Sequence, residues 1–315
     1  MNTFASTWYY FLSVCVFLIV LFFYIHILFH LKTSEDLEVF QLDNLPSKDR
    51  FEEICDLKQP VMFPLEEGKG IVFETELKRL DELYGAFDVR IRQNIFEDGA
   101  KELYLPLSLK EAVQLVEHDP KHQYFSEDNM EFLNETGVLK RIRREDAYFR
   151  PSMCARHRYD TWIGFTKTIT PFRYNLDYRT FLMVAQGKVR VKLISPHYTR
   201  YLDVIKDYEN MEFRTEYNYA PYLWGDEKSE LFPKHKMSNM AKIKTLEVIL
   251  TPKDILYIPS YWWYSVQFDE LTSMCVLKYQ TYMNMLSILP DYIKYGLQRQ
   301  NIKENIIKPH SMLSD

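Results

Sequence analysis

From Trp8 to Leu31 the chain carries no charge, and most positions are Phe, Leu, Ile, Val or Tyr. Roughly 20 such residues cross a bilayer as a helix. Trp8, Tyr9 and Tyr10 stand where an interfacial aromatic belt would lie, and Lys32 closes the other end. A cleaved signal peptide has an apolar core of about 7–15 residues, a basic start and a small-residue cleavage site. This segment is longer and has neither flank. The pattern therefore predicts an uncleaved transmembrane helix over 8–31, after a short tail over 1–7. Residues 32–42 are polar and acidic and read as a linker.

Beyond the linker the periodicity changes. Ser47 is placed to cap a short helix with Phe51 and Ile54 on one face, and Gln59–Phe63 reads as a strand. Thr75–Tyr84 repeats as a helix with Leu77, Leu80 and Leu83 inward, stopped by Gly85. Ser108 and Glu111 have capping-box spacing at the start of another helix. Two-residue alternation marks strands at 88–92, 122–126, 161–165, 181–185, 189–194, 255–258 and 263–268. The stretch 200–245 is polar and aromatic without a clear period. Met274–Tyr282 follows the last of these strands, and Met285–Tyr295 reads as a helix interrupted at Pro290. Helices first and strands afterwards predict a mainly β fold with flanking helices. The expected domain occupies 43–290, and 291–315 is expected to be a C-terminal helix and tail.

Composition adds little to this picture. Aromatics make up 16% of the residues and Gly only 9 positions, which suits a β-rich aromatic core. Net charge is −5 and the isoelectric point is near 6.0, so no nucleic-acid partner is expected. The one basic run, Lys140–Arg144, reads as a solvated face. Cys55, Cys154 and Cys275 are widely scattered and form no disulfide framework, which favours a reducing compartment. Lys32 alone does not fix the orientation of the anchor.

Three stretches carry candidate chemistry. The first is Tyr159-Asp-Thr-Trp-Ile-Gly-Phe-Thr-Lys-Thr-Ile-Thr-Pro-Phe-Arg-Tyr-Asn175. The second is Gly187-Lys-Val-Arg-Val-Lys-Leu-Ile-Ser-Pro196. The third is Asp254-Ile-Leu-Tyr-Ile-Pro-Ser-Tyr-Trp-Trp-Tyr-Ser-Val266. In this order they resemble the cupin-like JmjC family of Fe(II)/2-oxoglutarate oxygenases. That resemblance implies a double-stranded β-helix, or jelly-roll barrel. The family writes its first motif as W-hydrophobic-G-x-x-x-T-x-T-P-L-H-x-D, and Trp162, Gly164, Thr168, Thr170 and Pro171 match it. Gly187, Leu193 and Pro196 match the second motif.

The residues that hold iron and co-substrate in the family do not match. Its two His and one Asp fall on Arg173, Tyr264 and Asn175. The Lys that pairs with the 2-oxoglutarate carboxylate falls on Val189, and only the co-substrate-touching Thr170 persists. A facial triad of two His and a carboxylate is what Fe(II) needs here. Arg173 has no lone pair to give, Asn175 offers a neutral carbonyl, and a phenol such as Tyr264 binds metal well only after deprotonation. No His-x-Asp or His-x-Glu triplet exists elsewhere in the chain.

Three functions fit these residues. One is a membrane-anchored, non-catalytic pseudo-oxygenase acting as a binding or scaffold module for a protein partner. The second is an active Fe(II)/2-oxoglutarate-dependent hydroxylase whose ligands lie elsewhere. The third is a cupin whose pocket holds a small anion or a sugar. The first is the expected reading, with no cofactor, a pocket at Arg173, Asn175 and Tyr264, and single-pass membrane localisation.

Overall fold

A computed structural model describes residues 2–64, 70–94, 104–208, 210–216, 218–225, 232–252 and 254–301. Two sheets face each other across an apolar filling. The large sheet holds nine strands: β1 (Phe40–Gln41), β2 (Val61–Pro64), β13 (Asp254–Pro259), β8 (Arg179–Gln186), β15 (Thr272–Thr281), β6 (Cys154–Gly164), β5 (Tyr124–Ser126), β3 (Asp88–Gln93) and β4 (Tyr104–Ser108), in that spatial order. The small sheet runs β10 (Val204–Asp207), β11 (Glu212–Thr215), β7 (Arg173–Tyr174), β14 (Trp263–Phe268), β9 (Val189–Ile194) and β12 (Leu246–Leu250).

The filling between the sheets follows from strand alternation. Trp162, Leu182, Val184, Val191, Leu193, Leu256, Tyr264 and Val266 form one buried cluster that lines the interior. The outer face of the large sheet buries a second cluster under helices. These helices are α2 (Lys48–Asp56), α3 (Gly70–Glu74), α4 (Leu77–Tyr84), α5 (Leu109–Glu117), α6 (Met130–Glu135) and α7 (Val138–Glu145). The Ser108–Glu111 capping box at the start of α5 forms with both of its bonds. Leu77 and Leu80 of α4 are buried, but Leu83 is not: it is 54% exposed, because α4 is covered on one narrow stripe only.

Two motif glycines are dictated by close approach. Gly187 sits at φ +86, and a Cβ there would lie 2.4 Å from Thr272 Oγ1. A Cβ on Gly164 would lie 2.4 Å from the Phe268 ring. Asp254 has a local task, since Thr251 N and Oγ1 both donate to its Oδ2 and set the turn into β13.

Several elements differ from the sequence expectation. The strand expected at 161–165 is the end of an 11-residue strand, β6, that starts at Cys154. The stretch 200–245 contains β10, β11, α8 (Tyr219–Trp224) and α9 (Met237–Met240), with Phe172, Trp263 and Tyr219 in a small core of its own. Pro290 interrupts no helix. It is the second residue of α11 (Leu289–Asn301), where a missing N–H costs nothing, and α10 (Tyr282–Ser287) ends before it.

At the N-terminus, α1 runs from Asn2 to Leu31. Trp8–Leu31 is long and apolar enough to cross a membrane, a test that a signal sequence also passes. Its last turns do not float. His30 is buried against Tyr178, and α10 packs along α1. Lys58 donates to the carbonyls of Phe29 and Lys32, closing the helix end. The segment expected to be a linker is strapped to the barrel. Ser34 N donates to Lys58 O, Trp262 Nε1 donates to Ser34 O, and Ser195 Oγ donates to Glu35 O. Leu37 and Val39 pack on the barrel interior, and β1 adds to the sheet beside β2.

Candidate functional site

Arg173 stands on β7, a two-residue strand held between β11 and β14 and paired directly with Tyr264. Its side chain is 6% exposed and lies over the Trp162 ring, with 4.5 Å between the guanidinium carbon and the ring centroid. Trp162 is fixed in turn by its Nε1, which donates to Asp160 at 2.7 Å. Asn175 follows β7 and donates through Nδ2 to Tyr264 Oη at 3.0 Å and to Thr180 Oγ1 at 3.2 Å. Arg173, Asn175 and Tyr264 therefore meet at one end of the barrel.

Thr170 and Val189 do not join them. The Thr170 hydroxyl accepts the Val266 N–H at 2.9 Å, inside the β14 contact. Val189 is fully buried in the interior cluster and pairs with Phe268, four residues along β14 from Tyr264. At about 3.3 Å per residue that is roughly 13 Å away.

The Arg173 charge is answered by side chains that sequence reasoning passed over. Its Nη1 meets Glu127 Oε2 at 2.6 Å and Glu212 Oε1 at 3.8 Å. Arg92 bonds to Glu127 and lies 3.0 Å from Glu212 Oε1. Two arginines and two glutamates thus form a largely buried square, with Arg214 Nε 3.9 Å from Glu212 Oε2 at its edge. Burial would push the Glu127 carboxyl up, but Arg173 and Arg92 outweigh it and hold it below the ordinary 4.5. Burial would likewise lower Arg173, and Glu127 reverses that, so it stays protonated. The Nε and Nη2 of Arg173 find no hydrogen-bond partner among the described residues.

Above the square opens a cavity of about 360 Å³. Arg156 and Arg158 of β6, Lys278 of β15, Arg173, and Tyr292 and Tyr295 of α11 are on its walls. Helix α11 therefore belongs to the site, although the sequence places its residues beyond the domain. Arg158 is held by both oxygens of Asp177 at 2.8 and 2.9 Å. Nearby, burial and Asp128 raise the Asp160 carboxyl to about 7.

A sequence signal for the walls existed. Arg156, Arg158 and Asp160 alternate on β6 in phase with Trp162, which the motif places inside the barrel. Glu127 and Glu212 had no such signal, since they reach Arg173 from distant loops and strands.

A model of the Cupin-like domain matches residues 70–279, well over half of the chain. The chain belongs to the cupin-like domain family. The match covers β3 to β15 and all three motif stretches, and it ends just short of Gln280 at the cavity wall. No curated protein matches the chain.

Cupin-like domains of the JmjC type imply Fe(II) and 2-oxoglutarate, so the donor set decides the fit. A guanidinium bound to two carboxylates has no lone pair for a metal. The Asn175 amide nitrogen points its proton at Tyr264 Oη. Among the described residues, no three His, Cys, Asp or Glu side chains are grouped to share an ion. The Thr170 hydroxyl is engaged, and Val189 is apolar. These residues do not fit iron with its co-substrate.

Proposed function

We propose that this protein is a membrane-anchored cupin-like domain without iron chemistry, working as a binding module through the mouth of its barrel. The observation that carries the reading is Arg173. It occupies the first ligand position of the family and is locked there by Glu127 at 2.6 Å. A fixed cation at a metal position repels the metal as well as failing to bind it. Asn175 and Tyr264 supply at most one neutral oxygen and one phenol. Support for the anchor comes from the apolar span Trp8–Leu31, which among the described residues is exposed from Trp8 to Ile25 apart from the half-buried Cys15.

The test is anaerobic Fe(II) titration of the full chain in detergent, followed by elemental analysis. No stoichiometric iron is expected; one iron per chain would overturn the reading. Membrane attachment is tested separately by alkaline extraction of membranes. Release into the supernatant, or a mature N-terminus near residue 32, would overturn the anchor.

A further inference from the structure

We infer that the barrel mouth is a receptor for a small phosphate-bearing dianion, held between Arg156, Lys278 and Arg173. This inference names the ligand of the site proposed above and rests on that site being free of iron.

The charges in the mouth are unevenly matched. Five cationic side chains line the cavity, Arg92, Arg156, Arg158, Arg173 and Lys278, against the acids Asp128, Asp177 and Glu212. Arg92 and Arg173 are matched by the glutamates of the buried square, and Arg158 by Asp177. Arg156 and Lys278 remain. Neither makes an ion pair with a described residue, and they stand on the neighbouring strands β6 and β15 with their side chains toward the same cavity. Lys278 is half-buried and Arg156 is exposed at the cavity's edge, one diagonal step apart on the paired strands, and two like charges facing one concave space attract an anion between them. The opposing acid is Asp128, exposed at the rim at φ +62.

Beneath them Arg173 is almost fully buried, and its Nε and Nη2, without a partner among the described residues, lie below the accessible surface, so its charge acts on the cavity through space rather than by a bond. The volume of about 360 Å³ is near the lower end of small-ligand sites, roughly 300–1,000 Å³. A phosphomonoester fits two free cations better than a single carboxylate does, because it brings two charges and several acceptors to one point.

The phosphate has two sources that this chemistry shares: a soluble ester, or the headgroup of an anionic lipid. The cavity and the foot of the anchor lie at the same end of the barrel. Asp177 lines the cavity while Tyr178 packs on His30, and Gln280 lines it while Thr281 Oγ1 lies 3.4 Å from His30 Nε2.

The experiment uses the full chain in phosphatidylcholine nanodiscs with a metal chelator present, titrated with inorganic phosphate by calorimetry. Saturable binding is expected. Arg156→Gln and Lys278→Gln should each weaken it roughly tenfold, the loss of one charge-assisted bond. Asp128→Asn, which suits a positive φ, should tighten it severalfold. Repeating the titration in discs containing phosphatidic acid separates the sources: suppressed phosphate binding identifies the lipid headgroup, and unchanged binding identifies the soluble ester. Folding of every variant is checked by its melting curve. No phosphate binding by folded protein in either disc would overturn the inference and leave the iron-free reading standing. Affinity that ignores all three variants would overturn it too. Binding that appears only when Fe(II) is added would overturn both.

Discussion

Glu127→Gln is the most informative single change in the buried square. It removes the carboxylate that meets Arg173 at 2.6 Å and also bonds Arg92. Two unit charges about 4 Å apart interact by about 4 kcal/mol at an effective dielectric near 20. Glu127 makes two such pairs, and its own desolvation offsets several kcal/mol of that sum. The variant also leaves Arg92 and Arg173 with Glu212 alone between them. The expected loss is about 3–5 kcal/mol, the usual result of breaking a buried pair from one side. For a domain of this size that lowers the melting midpoint by roughly 8–15 °C. The assay is thermal unfolding of the full chain in detergent, read by tryptophan fluorescence, since Trp162 lies under Arg173. The pH dependence has a definite sign. Glu127 sits below its ordinary 4.5 when folded, so it adds stability above that value and loses it as the pH falls through the folded value. The variant should show a shallower acid limb. Arg173→Met in the Glu127→Gln background should recover half the loss or more, by removing the stranded cation. A single-variant loss below about 1 kcal/mol, or no recovery in the double, would refute the account of a mutually dependent square.

Three further outcomes are expected. The triple change Arg173→His, Asn175→Asp and Tyr264→His should bind a divalent metal near stoichiometry while each single change does not, because only the triple supplies a facial triad; elemental analysis reads it. Gly187→Ala should destabilise by about 2–4 kcal/mol in the same melting assay, since the new Cβ meets Thr272 and Leu271 at a φ that only glycine tolerates well. Lys58→Met should open the 32–42 strap to limited proteolysis, because it removes the donor that closes α1; an unchanged cleavage rate would show that the strap's remaining contacts, with Trp262, Ser195 and β2 among them, hold it without that donor.

The barrel was legible because its motifs encode backbone necessities. Gly164 and Gly187 mark close approaches, Asp254 sets a turn, Trp262 ties the strap to the sheet through Ser34, and Trp263 bonds Thr199 and packs with Tyr219 and Phe232 of the 200–245 stretch. The same motifs gave Arg173 and Asn175 on the cavity wall and Tyr264 buried below them, hydrogen-bonded to Asn175. What stayed hidden was their partners. Glu127, Arg92 and Glu212 lie 46, 81 and 39 positions from Arg173 in some direction, and no local period links residues so far apart. The first half of β6 was hidden for another reason: a strand that lines a polar mouth alternates charge with apolar residues, as a solvent-facing loop can. The strap reads as a linker because its polar side chains face outward while its backbone, with only Leu37 and Val39 beside it, makes the contacts.

That strap has a mechanical consequence. A helix joined to its domain by a free tether leaves the domain to tumble. Here Lys58 closes the helix end, the backbone from Ser34 to Leu42 is hydrogen-bonded to the barrel, and His30 is inserted beneath Tyr178. Helix and barrel therefore turn as one lever. On the proposed reading that Trp8–Leu31 spans a bilayer, where such helices tilt by about 20° on average, a change of tilt would be passed to the barrel. On that reading, whatever tilts the helix would also turn the mouth toward or away from the lipid surface, because the two are packed together.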